Sequence, residues 1–170
     1  GYQNKWMPIA GEGGHVSLTA TTEHEFAAIQ QLQKRYGHVS AERVISGAGL
    51  VDLYHALCDL KDGQGREITT PAEVIERAQE VATSTANEAL DMFCGFLGSV
   101  AGDLALTLGA RGGIYIGGGI VPRLGERFDA SPFRERFEAK GRFKKYLQEV
   151  PTWVIHSPVS PALQGASQAL

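Results

Sequence analysis

"GGIYIGGGIVPRL" (residues 112–124) is the stretch that decides the fold class. Ile114, Tyr115 and Ile116 form a short apolar run bounded on both sides by glycine, which reads as a brief buried strand. The glycines at 117–119 make a turn, and a helix is predicted to follow. Strand, glycine turn and helix in that order place the chain in the α/β class. Working downstream, Ser131 and Pro132 start another helix, "TWVIHS" (152–157) is a second strand, and "SPALQGASQAL" (160–170) closes as a helix. Working upstream, an apolar pattern runs from Thr85 to Leu108. The small residues of "GFLGSVAGDLALTLG" (95–109) predict close packing of that helix on another backbone. Thr70, Pro71 and Glu73 supply an N-cap, a first-turn proline and a capping glutamate for a helix reaching about residue 82. Leu50, Leu53, Tyr54, Leu57 and Leu60 recur at helical spacing over 49–60. Thr22 with Glu25 is a capping box, and Gly37 ends the helix 22–36 that follows. The expected architecture is one helix-rich domain with strands near the start and late in the chain.

Composition narrows the function classes. The chain has 170 residues, 43% of them apolar, and a net charge of −3, so it carries no electrostatic footprint for nucleic acid. Asp91 and Asp103 interrupt the longest apolar stretch, and no membrane span is expected. Residues 1–9 lack a basic-then-apolar leader, and the expected location is the cytoplasm. The two cysteines, Cys58 and Cys94, fall in apolar helical patterns and read as buried reduced thiols, not as a disulfide or metal site. The opening "GYQNKWMPIAG" has no initiator methionine and reads as mid-protein sequence, so a fragment is expected. The most basic segment, "RERFEAKGRFKK" (134–145), reads as a solvated helical face.

Three sets of residues carry chemical interest. "SGAGL" (46–50) and "IGGGIVPRL" (116–124) each lead from apolar sequence into a helix. Glycines there let a ligand approach backbone N–H groups, and a helix N-terminus favours an anion. The second loop is not the dinucleotide fingerprint, because Pro122 stands where its third glycine belongs. Both loops also read as tight turns with no ligand. In "AGEGGHV" (10–16), Glu12 and His15 lie three apart on a glycine-rich loop, able to face one point or simply to meet solvent. Glu42 follows Ser40, the expected cap of a short helix. Ser46 lacks the Gly-x-Ser-x-Gly setting of a serine nucleophile. No metal cluster stands out.

Taken together, "GEGGH", "GHVSAERVISGAGLVDLY" (37–54), "GGIYIGGGIVPR" and "FEAKGRFKKYLQEVP" (137–151) resemble the C-terminal half of the bacterial-type glucokinases. The resemblance covers nearly the whole chain, in order. It implies the large domain of the actin/hexokinase (ribonuclease H-like) fold, here over residues 1–170, incomplete without the N-terminal small domain. It implies transfer of the γ-phosphate of MgATP to the 6-hydroxyl of glucose in a cleft between two domains. Glu12, His15 and Glu42 then correspond to the residues that bind sugar hydroxyls. Gly47, Gly49, Gly117, Gly118 and Gly119 correspond to the adenosine side.

The family's N-terminal phosphate motif, the acid that helps hold Mg²⁺ and the aspartate that accepts the sugar's proton have no counterpart among these residues. No catalytic residue is therefore expected in this chain, and the chain alone is expected to be inactive. A homodimer is consistent with the resemblance. The alternative on the same fold is a sugar-sensing transcriptional regulator, or another nucleotide-binding module. The clustered cysteines and DNA-binding helical module that such regulators carry are missing from the sequence.

Overall fold

The computed structural model describes residues 11–61, 63–157, 159 and 161–169. Among these, α1 (Glu23–Tyr36), α2 (Gly47–Lys61), α3 (Pro71–Glu80) and α4 (Thr85–Leu108) come first. Strand β1 (Ile114–Ile116) follows, then the short helices α5 (Val121–Leu124), α6 (Glu126–Asp129), α7 (Phe133–Glu138) and α8 (Lys144–Gln148). Strand β2 (Thr152–Val154) and α9 (Pro161–Ala169) end the order.

Helix ends obey their local chemistry. Thr22 accepts from the Glu25 N–H while the Glu25 side chain returns to the Thr22 backbone, and Thr70 and Glu73 repeat the arrangement at α3. Ser84 caps α4, and Gly109 ends it in the left-handed conformation. Helix α2 starts two residues earlier than its apolar periodicity predicts. The Ser46 hydroxyl accepts from the Gly49 N–H at 3.0 Å, so the helix is capped at its glycines.

Helix α4 is the centre of the core, with α2, α3 and α7 packed on it. At 24 residues it is long and apolar enough to cross a membrane by composition, contrary to the expectation from Asp91 and Asp103. Most of that stretch is buried inside the protein, with Leu90, Phe93, Phe96 and Ala105 at its heart. The predicted close backbone approach is real. A Cβ on Gly98 would stand 2.2 Å from the Phe133 carbonyl oxygen, and one on Gly102 would stand 2.5 Å from that of Phe137. These glycines let α7 lie directly on α4, where the Phe133 and Phe137 rings bury themselves.

The reading of 134–145 as a solvated face fails over its first turn. Arg134 donates to the carbonyls of Val150, Leu147 and Gln148 at 2.9–3.2 Å and to Glu138. Arg136 donates to both oxygens of Glu25, at 2.5 and 3.3 Å, and to Ser99 Oγ. Glu25 is 4% exposed. Burial pulls its carboxyl upward, but the Arg136 and Thr21 hydrogen bonds outweigh burial and hold it below its ordinary value. Sequence distance hides such a pair: its partners lie 111 residues apart.

Strands β1 and β2 form a two-stranded parallel sheet, in register Ile114–Thr152, Tyr115–Trp153 and Ile116–Val154. Ile116 faces the core, while Tyr115 and Trp153 stand opposite each other, 67% and 52% exposed. The strand expected near the start is, among the described residues, a single antiparallel bridge between Ser17 and Ser40.

Candidate functional site

That bridge organises the site. The Glu42 N–H donates to Gly14 O, Ala41 N–H to Val16 O, and Leu18 N–H to Val39 O, at 2.9–3.0 Å. These bonds zip the 14–18 segment against 39–42, and buried Ala41 and Val44 anchor the far side. The Ser40 hydroxyl is only 3.4 Å from the Arg43 N–H, and Glu42 sits on a turn where a short helix was expected. The turn is closed by backbone bonds from Ser40 and Ala41, with too few residues for a helix before Ser46 caps α2.

Glu12, His15 and Glu42 meet at this junction. A single 3₁₀ turn, Gly13–His15, closes when His15 N–H donates to Glu12 O at 3.0 Å. His15 Nε2 then lies 4.0 Å from Glu12 Oε2 and 3.5 Å from Glu42 Oε2. Gly14 makes room: a Cβ there would press to 3.4 Å from Glu42 Oε2. The three side chains are 61–88% exposed. Ion pairs this exposed contribute about 0–1 kcal/mol, so stability does not account for gathering them. What they offer is a ring of acceptors with one adaptable imidazole, suited to a ligand rich in hydroxyl donors. A hollow of about 370 Å³ opens beside His15 and Glu42, lined also by Ser40, Arg43 and Ser46, with Glu12 outside its lining.

A second cavity, about 350 Å³, collects most of the predicted glycines. Gly47, Gly117, Gly118 and Gly119 line it together with Ile75, Phe93 and other apolar side chains. Gly118 has φ +115°, a conformation that favours glycine, and a Cβ on Gly118 or Gly119 would meet open space. Apolar walls with exposed backbone at one rim suit a flat ring that needs a few polar contacts. Gly49 is not brought to this cavity. It is buried, a Cβ there would stand 2.6 Å from Val44 O, and it lines the hollow beside His15 and Glu42 while seating α2 against the turn. Ser46 lines both hollows, which therefore adjoin.

Cys58 and Cys94 are buried free thiols. Burial pushes both upward, Cys94 to about 11, so neither is a nucleophile at neutral pH. No group of three His, Cys, Asp or Glu among the described residues is arranged to hold a metal.

Two adjoining hollows, one ringed by acceptors and one glycine-rimmed, set the geometry against which relatives are compared. A family model described as Glucokinase matches residues 2–170. The chain belongs to the glucokinase family. Curated glucokinases agree: that of Aromatoleum aromaticum is 52% identical over 98% of this chain and 50% of its own length. That of Chromobacterium violaceum is 52% identical over 97% of this chain and 47% of its own. The chain thus spans about half the length of the curated glucokinases it matches. A crystal structure of glucokinase from an Antarctic psychrotroph superposes with TM-score 0.81 at 39% identity, over 88% of this chain and 46% of that one. Glucokinase from Balamuthia mandrillaris, solved in complex with glucose, is 21% identical with TM-score 0.74, over 92% of this chain and 46% of that one, a likeness of fold. The helix-rich chain with its small parallel sheet is a portion of the hexokinase fold.

Sequence reading missed the rest of the walls. Pro71, Ile75, Phe93 and Leu97 were legible as helix residues but not as cavity lining. Tyr36, Arg43 and Asp52, around the acceptor ring, were not singled out; the signal available was an acid, Asp52, inside the otherwise apolar start of α2.

Proposed function

We propose that this chain is the large-domain, C-terminal part of an ATP-dependent glucokinase, supplying the sugar-binding side chains and the adenosine side of the cleft. The observation that carries the reading is the meeting of Glu12, His15 and Glu42, from segments thirty residues apart, within 4.0 Å around His15 Nε2. Carboxylates accept from sugar hydroxyls at both oxygens, and each charge-assisted bond contributes about 1.5–3 kcal/mol. Two such residues supply much of a millimolar-to-micromolar affinity, about 4–8 kcal/mol. An epimer leaves one carboxylate without its partner, which is the basis of discrimination.

None of the three has to move a proton. Their contribution is orientation, so that one hydroxyl points at the phosphoryl donor. The proton acceptor is assigned to an aspartate outside these 170 residues. The apolar cavity with Gly47, Gly117, Gly118 and Gly119 fits an adenine ring and ribose by shape and polarity. Mg²⁺, when bound, would neutralise charge on the donor's phosphates, and we assign its ligands to the part of the enzyme that carries the phosphate motifs. The exposed Tyr115 and Trp153 are consistent with further parts of the enzyme covering the sheet.

In the full-length enzyme, Glu12→Gln and Glu42→Gln should raise the KM for glucose and spare that for ATP. Gly119→Leu, which fills the cavity rim, should do the reverse. Unchanged glucose dependence in both glutamate variants refutes the sugar assignment; unchanged ATP dependence in Gly119→Leu refutes the nucleotide one.

A further inference from the structure

Behind Glu42 lies a clamp that joins two helices to its turn. Arg43, the next residue, holds its guanidinium 4.3 Å from the centre of the Tyr36 ring. That ring is itself fixed. Tyr36 Oη donates to Asp52 Oδ2 at 2.5 Å, Arg35 donates to Asp52 Oδ1 at 2.5 Å, and the Arg35 guanidinium lies 4.9 Å from the ring centre. Tyr36 ends α1 and Asp52 belongs to the second turn of α2, so the clamp spans both. Asp52 is 13% exposed, well placed to hold the tyrosine hydroxyl.

Glu42 sits between two constrained neighbours. On one side Ala41 is fully buried; on the other Arg43 is stacked. Glu42 itself is 61% exposed, and its Oε2 lies 3.5 Å from His15 Nε2. An exposed glutamate has several accessible rotamers, and ordering it on binding costs entropy. Fixing the backbone beneath it removes part of that cost before the ligand arrives. Cation–aromatic stacking suits this task because it tolerates solvent while setting the direction of the arginine stem.

We infer that Tyr36, Arg43 and Asp52 are positioning residues for sugar recognition: the stack of Arg43 on the Asp52-anchored Tyr36 ring holds the 40–44 turn so that the Glu42 carboxylate faces His15. The inference rests on the reading of Glu42 as a hexose ligand. It deepens that reading by naming what keeps the ligand aimed. The clamp acts on ground-state and transition-state binding alike, so its loss shows in the KM for glucose and leaves kcat in place.

The test uses steady-state kinetics of the full-length enzyme with Tyr36→Ala, Tyr36→Phe, Arg43→Ala, the double variant Tyr36→Ala/Arg43→Ala, and Glu42→Gln as reference. Tyr36→Ala and Arg43→Ala should each raise the KM for glucose roughly five-fold, with kcat and the KM for ATP changed less than about two-fold. The double variant should be no worse than the poorer single one, because both remove the same contact. Tyr36→Phe, which keeps the ring for Arg43 but loses the bond to Asp52, should give a KM for glucose between those of the parent and Tyr36→Ala. Additive effects, equal changes in both Michaelis constants, or an unchanged KM for glucose overturn the clamp. Where Tyr36→Ala lowers the folded yield, exposed Arg43 with its →Ala and →Lys pair carries the test, Lys being the poorer stacker. If Glu42→Gln leaves the KM for glucose unchanged, the sugar-site reading falls and takes the clamp with it. If Glu42→Gln raises it while the Arg43 variants do not, only the clamp falls.

Discussion

Glu25 and Glu42 are the same side chain put to opposite uses. Glu25 is buried, caps α1, and is held by Arg136 and Thr21 from two directions. Glu42 stands on an open turn, more than half exposed, with no hydrogen-bond donor on it from the protein among the described residues. Both oxygens of the buried carboxylate accept from the fold, Oε1 from Arg136 and Oε2 from Thr21, Thr22 and Arg136, while the exposed one faces solvent and His15. The difference is one of burial: a carboxylate that the protein has paired out of solvent does structural work, and one left exposed beside His15 stays open to a ligand.

The largest effect should come from breaking the buried side of this comparison. Glu25→Gln keeps the size and removes the charge, leaving the half-buried Arg136 without its counter-charge. Denaturant unfolding of the full-length enzyme should show a loss of about 3–5 kcal/mol. A loss under about 1 kcal/mol would mean the pair is not a keystone of the α1–α7 contact.

Glu42→Gln comes next, and it sharpens the contrast because only function should move. A lost charge-assisted bond to sugar corresponds to about 1.5–3 kcal/mol, or roughly a 10- to 150-fold rise in the KM for glucose. The unfolding midpoint should stay put.

Acid separates the two more finely. Because Glu25 is held below its ordinary carboxyl value of 4.5 in the folded state, its stabilisation is complete above that value. It is lost as the pH falls through the lower folded value. Stability of the parent enzyme should therefore decline below about pH 4.5, and Glu25→Gln should flatten that decline. Glu88, half-buried yet lowered by Lys61 and His24, contributes in the same direction and keeps some slope in the variant.

The smallest effect is expected at Arg66, a fully exposed partner of Asp59. Arg66→Ala should leave both the unfolding midpoint and the kinetics within error, which calibrates how little a solvent-exposed pair matters.

Much of the fold was legible because it is governed by neighbours in sequence. Thr22 with Glu25, Thr70 with Pro71 and Glu73, and Gly109 after Leu108 mark helix ends through contacts only three or four residues long. Strand β1 was bounded by its own glycines, and the small residues of α4 announced a close neighbour without naming α7. The basic segment was misread because Arg134 and Arg136 find their acceptors elsewhere: Arg134 partly at Leu147, Gln148 and Val150, Arg136 at Glu25. Gly49 lies apart from the other four glycines, against the Val44 carbonyl and in the lining of the hollow beside His15, since what a missing Cβ makes room for depends on what lies opposite.

By itself, then, the sequence determined the order of the long helices and the caps of α1 and α3, the α/β class and the chemical identity of the candidate ligands, because caps, periodicity and glycine freedom are short-range effects. Tertiary structure alone decided that Glu12 and Glu42 converge on His15, that Ser46 stands between two hollows, and that Glu25 is buried against Arg136 while Glu42 is exposed. Those outcomes depend on which groups burial and folding bring together across long stretches of chain, and no local pattern encodes that.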